Sequence, residues 1–404
     1  MLLTPLHEVR PGMMLGVGVH NPDGQTLLGP DVPLTQAYIA RLGAMGCSRV
    51  WIEDEDTRDI QYDHVLSEDT RLGAGVEIRR AFALVAQEAP VLRSATIDDI
   101  RGVIETRRFQ RAIEDDVAIT GVLAQADAIV RTVLDQQLLP GLGSQRSGDT
   151  YHYHHGVDVA VMATLIGRLL GYDRQTLRKL CAASMLHDIG KVLIADALVG
   201  RAGKLDPDEA RKLSEHTVLG YLLLRDGFQL GVVASHVAYQ HHERQDGTGY
   251  PRGLTGTNRI PRGTERHVPG TITPFAEIVA LADFYDSRTW DRPYRQALPH
   301  DQVWRSIKNG AGTQFNREVA DLFLSIVPPY PLSTRVVVAR GPRQGCTGVV
   351  ARINRQALGR PVIRLLADAT GQRVAPVEID LTRDDIAIAG LASPPPTPAQ
   401  PTAV

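Results

Sequence analysis

The sequence of 404 residues has little cysteine, no long apolar stretch and no run of basic residues. Cys47, Cys181 and Cys346 are far apart and match no zinc or redox spacing, so a reducing compartment suits them best. No window approaches ~20 uninterrupted apolar residues, and the first residues lack the basic start and apolar stretch of a secretion signal. Without a basic run, neither DNA nor an anionic membrane is an expected partner. We therefore expect a cytoplasmic protein.

The composition is that of a globular chain, with 43% hydrophobic residues, 22% charged residues and a formal net charge of −2. The length predicts two or three domains, each able to bury a core. The residue patterns predict a multidomain, mainly α-helical protein. Its predicted parts are a small mixed α/β module (1–58), a helical connector (59–145), a helical domain (146–328), a small β module (329–392) and a disordered tail (393–404).

The N-terminal module is predicted from short patterns. MMLGVGV and QTLL are typical of strands on either side of a turn at Asn21–Gly24, and SRVWIED is typical of a further strand. Between them, LTQAYIARLGAMG predicts a helix that ends on Gly46. No residue here indicates chemistry, so we interpret the module as sensory or as a packing element.

The connector shows apolar residues at spacings of three and four, which predicts helices. The longest such stretch covers residues 97–139, with Ser94 and Thr96 as candidate N-terminal caps. Two interpretations stay open: a stalk that dimerises, or the first half of the helical domain.

The C-terminal part changes pattern after PPYP. RVVVA, TGVVARI, PVIRLL and APVEIDL are short β-branched runs separated by turn residues, which predicts a small β-barrel or sandwich. The final SPPPTPAQPTAV is proline-rich with little to bury, so we expect it to be disordered.

The residues that indicate chemistry begin with the stretch His187–Lys191, which reads HDIGK. An apolar helix pattern leads directly into an imidazole and a carboxylate, and a buried carboxylate is costly unless a partner or a metal ion binds it. Five more histidines and carboxylates lie on apolar faces or at helix ends: His155, His216, His241, His242 and Asp283. A single histidine in such a position is more often a core residue that has found a hydrogen bond. Seven such groups together are better explained by one metal centre, and without cysteine this favours iron, manganese or zinc.

Three segments within about residues 146–310 carry a resemblance to a known family. HDIGK, HHERQDGTGYP and ADFYDSRTWDRPYR, with Gly249-Tyr250-Pro251 in the second, closely resemble the HD-GYP family of metal-dependent phosphohydrolases. The resemblance implies an all-helical HD-type domain that hydrolyses cyclic di-GMP to pGpG and often on to GMP. It also implies divalent metal ions, most commonly iron or manganese, with zinc as the alternative.

Carried over by position, the family's metal ligands fall into two groups. His155, His187, Asp188 and Asp283 would hold one ion, and His216, His241 and His242 the other, with Asp188 bridging the two. A hydroxide bridging the ions would attack phosphorus. Some members hold a third metal through a glutamate at the place of Tyr151, so we expect two ions here.

The resemblance also suggests contacts to the substrate. Asp188 and Lys191 are the predicted catalytic residues, with Lys191 offsetting charge on the phosphate oxygens. Arg292 and Arg295 are candidates for a second phosphate or a guanine, with a solvated helix start as the alternative. Tyr250 is a candidate for stacking on a base, with a rigid turn that only shapes the pocket as the alternative. We expect Asp286 to contact one of the metal-binding residues rather than a metal ion.

The predicted partner is cyclic di-GMP or a related cyclic dinucleotide, and protein partners in cyclic di-GMP signalling and a homodimer stay open. Two other functions compete. One is hydrolysis of another nucleotide or hybrid cyclic dinucleotide, and the other is a catalytically idle receptor or scaffold. No predicted ligand is missing from the sequence, which favours an enzyme.

Overall fold

A computed structural model describes the chain over residues 1–60, 65–88, 97–107, 109, 111, 118–136, 150–194, 196–199, 203, 205–226, 231–263, 265–291 and 296–391. Most of the regular structure is helical, as predicted. The predicted tail (393–404) and the breaker PGLGSQRSG (140–148) lie outside the described residues. Among the described helices, none is both long and apolar enough to cross a membrane.

The N-terminal module has a three-stranded antiparallel sheet and a separate hairpin. Its elements are β1 (Leu2–Pro5), β2 (Met14–Leu15), β3 (Val19–His20), β4 (Thr26–Leu28), α1 (Gln36–Ala44) and β5 (Arg49–Glu53). The sheet order is β1-β5-β2, and β3 pairs with β4 around the predicted turn. The Asn21 side-chain oxygen accepts from the backbone N–H of Asp23 and Gln25, which fixes that turn. Strand β1 was not predicted.

The helical part is one bundle around one apolar core. Its helices are α2 (Glu68–Glu88), α3 (Ile97–Ile104), α4 (Ala118–Leu134), α5 (Tyr151–Leu169), α6 (Arg174–Met185), α7 (Asp196–Val199), α8 (Pro207–Ser214), α9 (His216–Asp226), α10 (Gly231–Gln240), α11 (Pro274–Thr289), α12 (His300–Gly310) and α13 (Arg317–Ile326). Helices α2 and α4 share this core with α5 and α6. This agrees with the interpretation of 59–145 as a first half of the helical domain; the exact boundaries stay predictions.

The helical pattern of residues 97–139 is interrupted in the structure, because α3 ends at Ile104. Thr106 explains the break. Its hydroxyl donates to the carbonyl of Val103 at 2.7 Å and accepts from the backbone N–H of Phe109 at 3.3 Å. The second bond is what an N-cap residue makes, so Thr106 closes one helical segment and begins another.

The C-terminal module is an antiparallel sheet of five strands. They are β6 (Arg335–Arg340), β7 (Thr347–Arg352), β8 (Val362–Ala367), β9 (Arg373–Asp380) and β10 (Ala387–Gly390), in the order β10-β6-β7-β8-β9. The four predicted strands are present, and β10 is additional. No pairing between the edge strands β9 and β10 occurs among the described residues, so the barrel stays a prediction.

The two β modules contact each other although about 300 residues separate them in sequence. Arg335 of β6 donates to the carboxylate of Glu8 at 2.7 Å, and Arg373 of β9 donates through Nε to that of Asp56 at 3.0 Å. Just after the module, the carboxylate of Asp59 accepts two hydrogen bonds from Arg364 of β8, at 2.5 and 2.6 Å. The N-terminal module therefore packs against the C-terminal sheet.

Candidate metal centre

The seven predicted ligands lie on five helices or directly after them, and the structure brings them together. His155 is inside α5, His187 and Asp188 follow α6, His216 begins α9, His241 and His242 follow α10, and Asp283 is inside α11. Their ligand atoms form three overlapping groups in which all atoms lie within 4.8 Å of one another. The groups are His155, His187 and Asp283; His187, Asp188 and His241; and His216, His241 and His242. His152, His154, His236 and His267 belong to none of these groups among the described residues.

Asp188 lies between two sets of histidines. Its Oδ2 is 3.8 Å from Nε2 of His155 and 3.6 Å from Nε2 of His187. Its Oδ1 is 3.5 Å from Nε2 of His216 and 3.7 Å from Nε2 of His241. Each oxygen therefore faces a different pair of imidazoles, which is the arrangement that a bridging carboxylate requires.

Three of the imidazoles are turned toward the centre by the ends of helices. Nδ1 of His187 donates to the carbonyl of Ser184, Nδ1 of His216 to that of Leu213, and Nδ1 of His241 to that of Ala238. A carbonyl only accepts, so Nδ1 carries the proton and Nε2 of the neutral ring presents a lone pair. Each of these carbonyls lies in the last turns of a helix, where the helix itself leaves acceptors unused.

Two of these lone pairs face each other. Nε2 of His216 and Nε2 of His241 are 3.3 Å apart, and with both Nδ1 atoms protonated neither can donate to the other. A bound cation would attract both lone pairs and so offset the repulsion between them.

The surroundings of His187, His216 and Asp188 keep these three groups in the form that binds metal. Burial, reinforced by His241 and His155, lowers the pKa of His187 to about 4, and burial with the Lys191 cation lowers that of His216 to about 3. Burial alone would raise the pKa of Asp188, but Lys191 and the surrounding imidazoles hold it well below its usual range. Neutral imidazoles and an ionised carboxylate are the ligand forms.

Unsatisfied buried atoms provide a test of whether these residues suit a metal ion. Nε2 of His187 and Oδ1 of Asp188 are buried and have no hydrogen-bond partner among the described residues. Leaving such groups unpaired costs about 1–3 kcal/mol each, and more for a charged group. Both atoms point into the centre, so the residues present fit a metal site with nitrogen and oxygen ligands.

The Gly-Tyr-Pro signature supports the last histidine of the set. A Cβ added at Gly249 would lie 2.5 Å from Cα of Glu243 and 2.6 Å from the carbonyl oxygen of His242, so only glycine allows the loop to return this closely. The backbone N–H of Tyr250 donates to that same carbonyl at 3.2 Å, and its ring packs on the His242 imidazole with centroids 4.8 Å apart. The signature therefore positions His242.

Sequence reasoning missed the buried network behind this loop. The Glu277 carboxylate accepts from Gln245 Nε2 at 2.6 Å and from Asn316 Nδ2 at 3.0 Å, and burial raises the Glu277 pKa to about 7. Glu243 accepts from the backbone N–H of Arg252 and of Leu254, both at 2.8 Å. A carboxylate at the start of an otherwise apolar helix, as at Glu277, is the signal that could have indicated the network.

Gly249→Ala is expected to destabilise the protein by about 1–3 kcal/mol, because the methyl group would overlap backbone that cannot move separately from His242. The same variant should bind one of its metal ions more weakly. Denaturant unfolding and metal titration measure the two effects. Gly29→Ala is the control, because a Cβ at Gly29 meets nothing within 4 Å. Unchanged stability and metal affinity in Gly249→Ala would contradict the role given to the signature.

The predicted substrate contacts are only partly described. Lys191 Nζ lies 2.5 Å from Asp188 Oδ2, at the edge of the centre, and the Tyr250 side chain is partly exposed beside it. Arg292 and Arg295 lie outside the described residues. In the same loop, Arg244 donates through Nε and Nη2 to the carboxylate of Asp246.

The sequence is similar to those of several known proteins over the region that holds this site. The HD domain family matches residues 141–319. A cyclic di-GMP phosphodiesterase of Pseudomonas aeruginosa is 27% identical over 352 residues, which are 86% of this chain and 81% of that protein. A cyclic di-GMP phosphodiesterase of Thermotoga maritima is 31% identical over 47% of this chain and 48% of its own length. The 3'3'-cGAMP-specific phosphodiesterase 3 of Vibrio cholerae is 33% identical over 42% of this chain and 34% of its own length.

The chain thus spans most of the first relative and half or less of the other two. The HD domain match, the His187-Asp188 pair and the Gly249-Tyr250-Pro251 signature together support the assignment to the HD-GYP family.

Proposed function

We propose that this protein is a metal-dependent phosphodiesterase that hydrolyses cyclic di-GMP to pGpG and onward to GMP. The observation that carries the proposal is the position of Asp188, whose two oxygens face two separate sets of imidazoles. The relatives named as cyclic di-GMP phosphodiesterases support the choice of substrate. The complete ligand set argues against an idle receptor.

His155, His187 and Asp283 would hold one divalent ion, and His216, His241 and His242 the other, with Asp188 shared. Iron or manganese suits these nitrogen and oxygen ligands, and zinc is the alternative. A pair of such ions supplies Lewis-acid stabilisation of a phosphodiester and makes a water molecule more acidic.

The chain's own side chains would bind and orient the substrate. The Lys191 ammonium, at the edge of the centre, would offset the negative charge that develops on the non-bridging phosphate oxygens. The ring of Tyr250 is partly exposed next to His242 and would offer a face for a guanine base. Arg292 and Arg295 are proposed to bind the second phosphate, on the basis of residue type and place in the sequence.

A second substrate has specific support, because one relative is named for 3'3'-cGAMP. This molecule shares the phosphodiester linkages and differs in one base, so the same centre could cleave it. The base contacts, and not the metal ligands, would then decide the preference.

The proposal is tested by adding cyclic di-GMP or 3'3'-cGAMP to protein loaded with Fe²⁺ or Mn²⁺ and separating the products by chromatography. We expect pGpG to appear before GMP, and chelation of the metal to stop both. Protein that holds two ions per chain but leaves both cyclic dinucleotides intact would contradict the proposal. If it also bound cyclic di-GMP, it would be a receptor.

A further inference from the structure

Helix α11 presents two carboxylates, three residues apart, to one imidazole. Asp283 Oδ1 lies 3.2 Å from Nε2 of His155, while Asp286 Oδ2 lies 2.6 Å from Nδ1 of the same ring. The Asp286 side chain is fully buried. His155 is thus in contact with a carboxylate at both of its ring nitrogens.

Among the described residues, the other oriented histidines have a backbone carbonyl at Nδ1 instead of a carboxylate, and their places in the fold explain this difference. His187, His216 and His241 donate to backbone carbonyls in the last turns of helices, where acceptors are unused. His155 lies inside α5, where the carbonyls before it are engaged in the helix's own hydrogen bonds. A histidine in that position needs an acceptor from another element, and Asp286 on α11 is that acceptor.

A carboxylate is also a stronger acceptor than a carbonyl. A charge-assisted hydrogen bond is shorter and roughly twice as strong as a neutral one, and the 2.6 Å separation is at the short end of the range. Holding the proton on Nδ1 leaves the Nε2 lone pair directed at the centre, and the negative charge behind the ring makes that lone pair a better donor to a metal.

We infer that Asp286 is a positioning residue that fixes the tautomer and angle of His155 and so sets the affinity of one of the two metal sites. The inference rests on the proposed metal centre. The site that it governs is the one formed with His187 and Asp283. In the other site, backbone carbonyls orient His216 and His241, and the Gly-Tyr-Pro signature positions His242. That site does not depend on Asp286.

The test is a metal titration of the full chain, stripped of metal and then titrated with Mn²⁺ against a competing chelator. In Asp286→Asn and Asp286→Ala, one of the two sites should weaken by about 10–100-fold, while the other keeps its wild-type affinity. Nitrogen-15 NMR of the histidine side chains in the metal-free protein should show a changed tautomer or protonation for one ring. A merely structural role would not produce this change.

Asp301→Asn is the matched control, because Asp301 is also a buried carboxylate but lies on α12 and pairs with Arg305. It should leave both metal affinities and the histidine NMR unchanged. Two wild-type affinities in both Asp286 variants, or an equal loss at both sites, would overturn the inference. Wild-type protein that binds no ion would instead overturn the proposed function, so the two failures can be told apart.

Discussion

Replacing Asp188 with alanine is expected to remove both metal ions and to abolish hydrolysis of cyclic di-GMP. Each oxygen of this carboxylate faces a different histidine pair, so both sites lose a negatively charged oxygen at once. A change in a residue that only contacts a ligand already costs about 10–100-fold in metal affinity. Loss of the shared carboxylate should cost more than that. Mass spectrometry of bound metal and product chromatography measure the two losses.

An exposed aspartate makes the matched control. Asp208 lies in the first turn of α8 and pairs only with Arg211 on the surface, where ion pairs contribute about 0–1 kcal/mol. Asp208→Ala should retain both ions and the wild-type rate. Thermal denaturation of Asp188→Ala checks that the variant is folded, so that loss of metal is not loss of structure. Turnover of cyclic di-GMP by Asp188→Ala at the wild-type rate would refute the assignment of the centre.

Much of the centre could be predicted because its ligands are marked by local patterns. His187 and Asp188 end an apolar helix, and Asp283 lies on an apolar helix face, where an unexplained polar group stands out. Their role as ligands stays a prediction, but the structure brings them together. The hydrogen bond between Asp286 and His155 joins residues 131 positions apart, and no local pattern encodes that distance.

The strands also divide into those that local sequence patterns predicted and those that they did not. The strands at Arg49–Glu53 and Thr347–Arg352 are β-branched or apolar runs bounded by turn residues, and the pattern predicted them. Strands β1 and β10 have only four residues each, which is too short for alternation to distinguish them from loop. Their strand conformation comes from pairing with β5 and β6, which is a tertiary effect.

The largest stability effect is expected at a buried ion pair that the sequence did not indicate. Arg71 of α2 donates to Asp158 of α5, and the two side chains are 7% and 0% exposed. Removing one partner from such a pair takes away the counter-ion of a charge that stays buried, and costs about 3–5 kcal/mol. Arg71→Met, which keeps most of the volume, should therefore lower the free energy of unfolding by that amount.

A second ion pair of helix α2 is exposed, and comparison with it shows how much of the loss of stability comes from burial. Arg79 of α2 also pairs with an aspartate, Asp23, but these side chains are 38% and 55% exposed. Arg79→Met should cost no more than about 1 kcal/mol, because solvent screens the pair and hydrates the aspartate left behind. Denaturant titration followed by far-UV circular dichroism measures both. Equal losses in the two variants would contradict this prediction. Partial recovery of stability in Arg71→Met/Asp158→Asn would identify the buried charge of Asp158 as the cause.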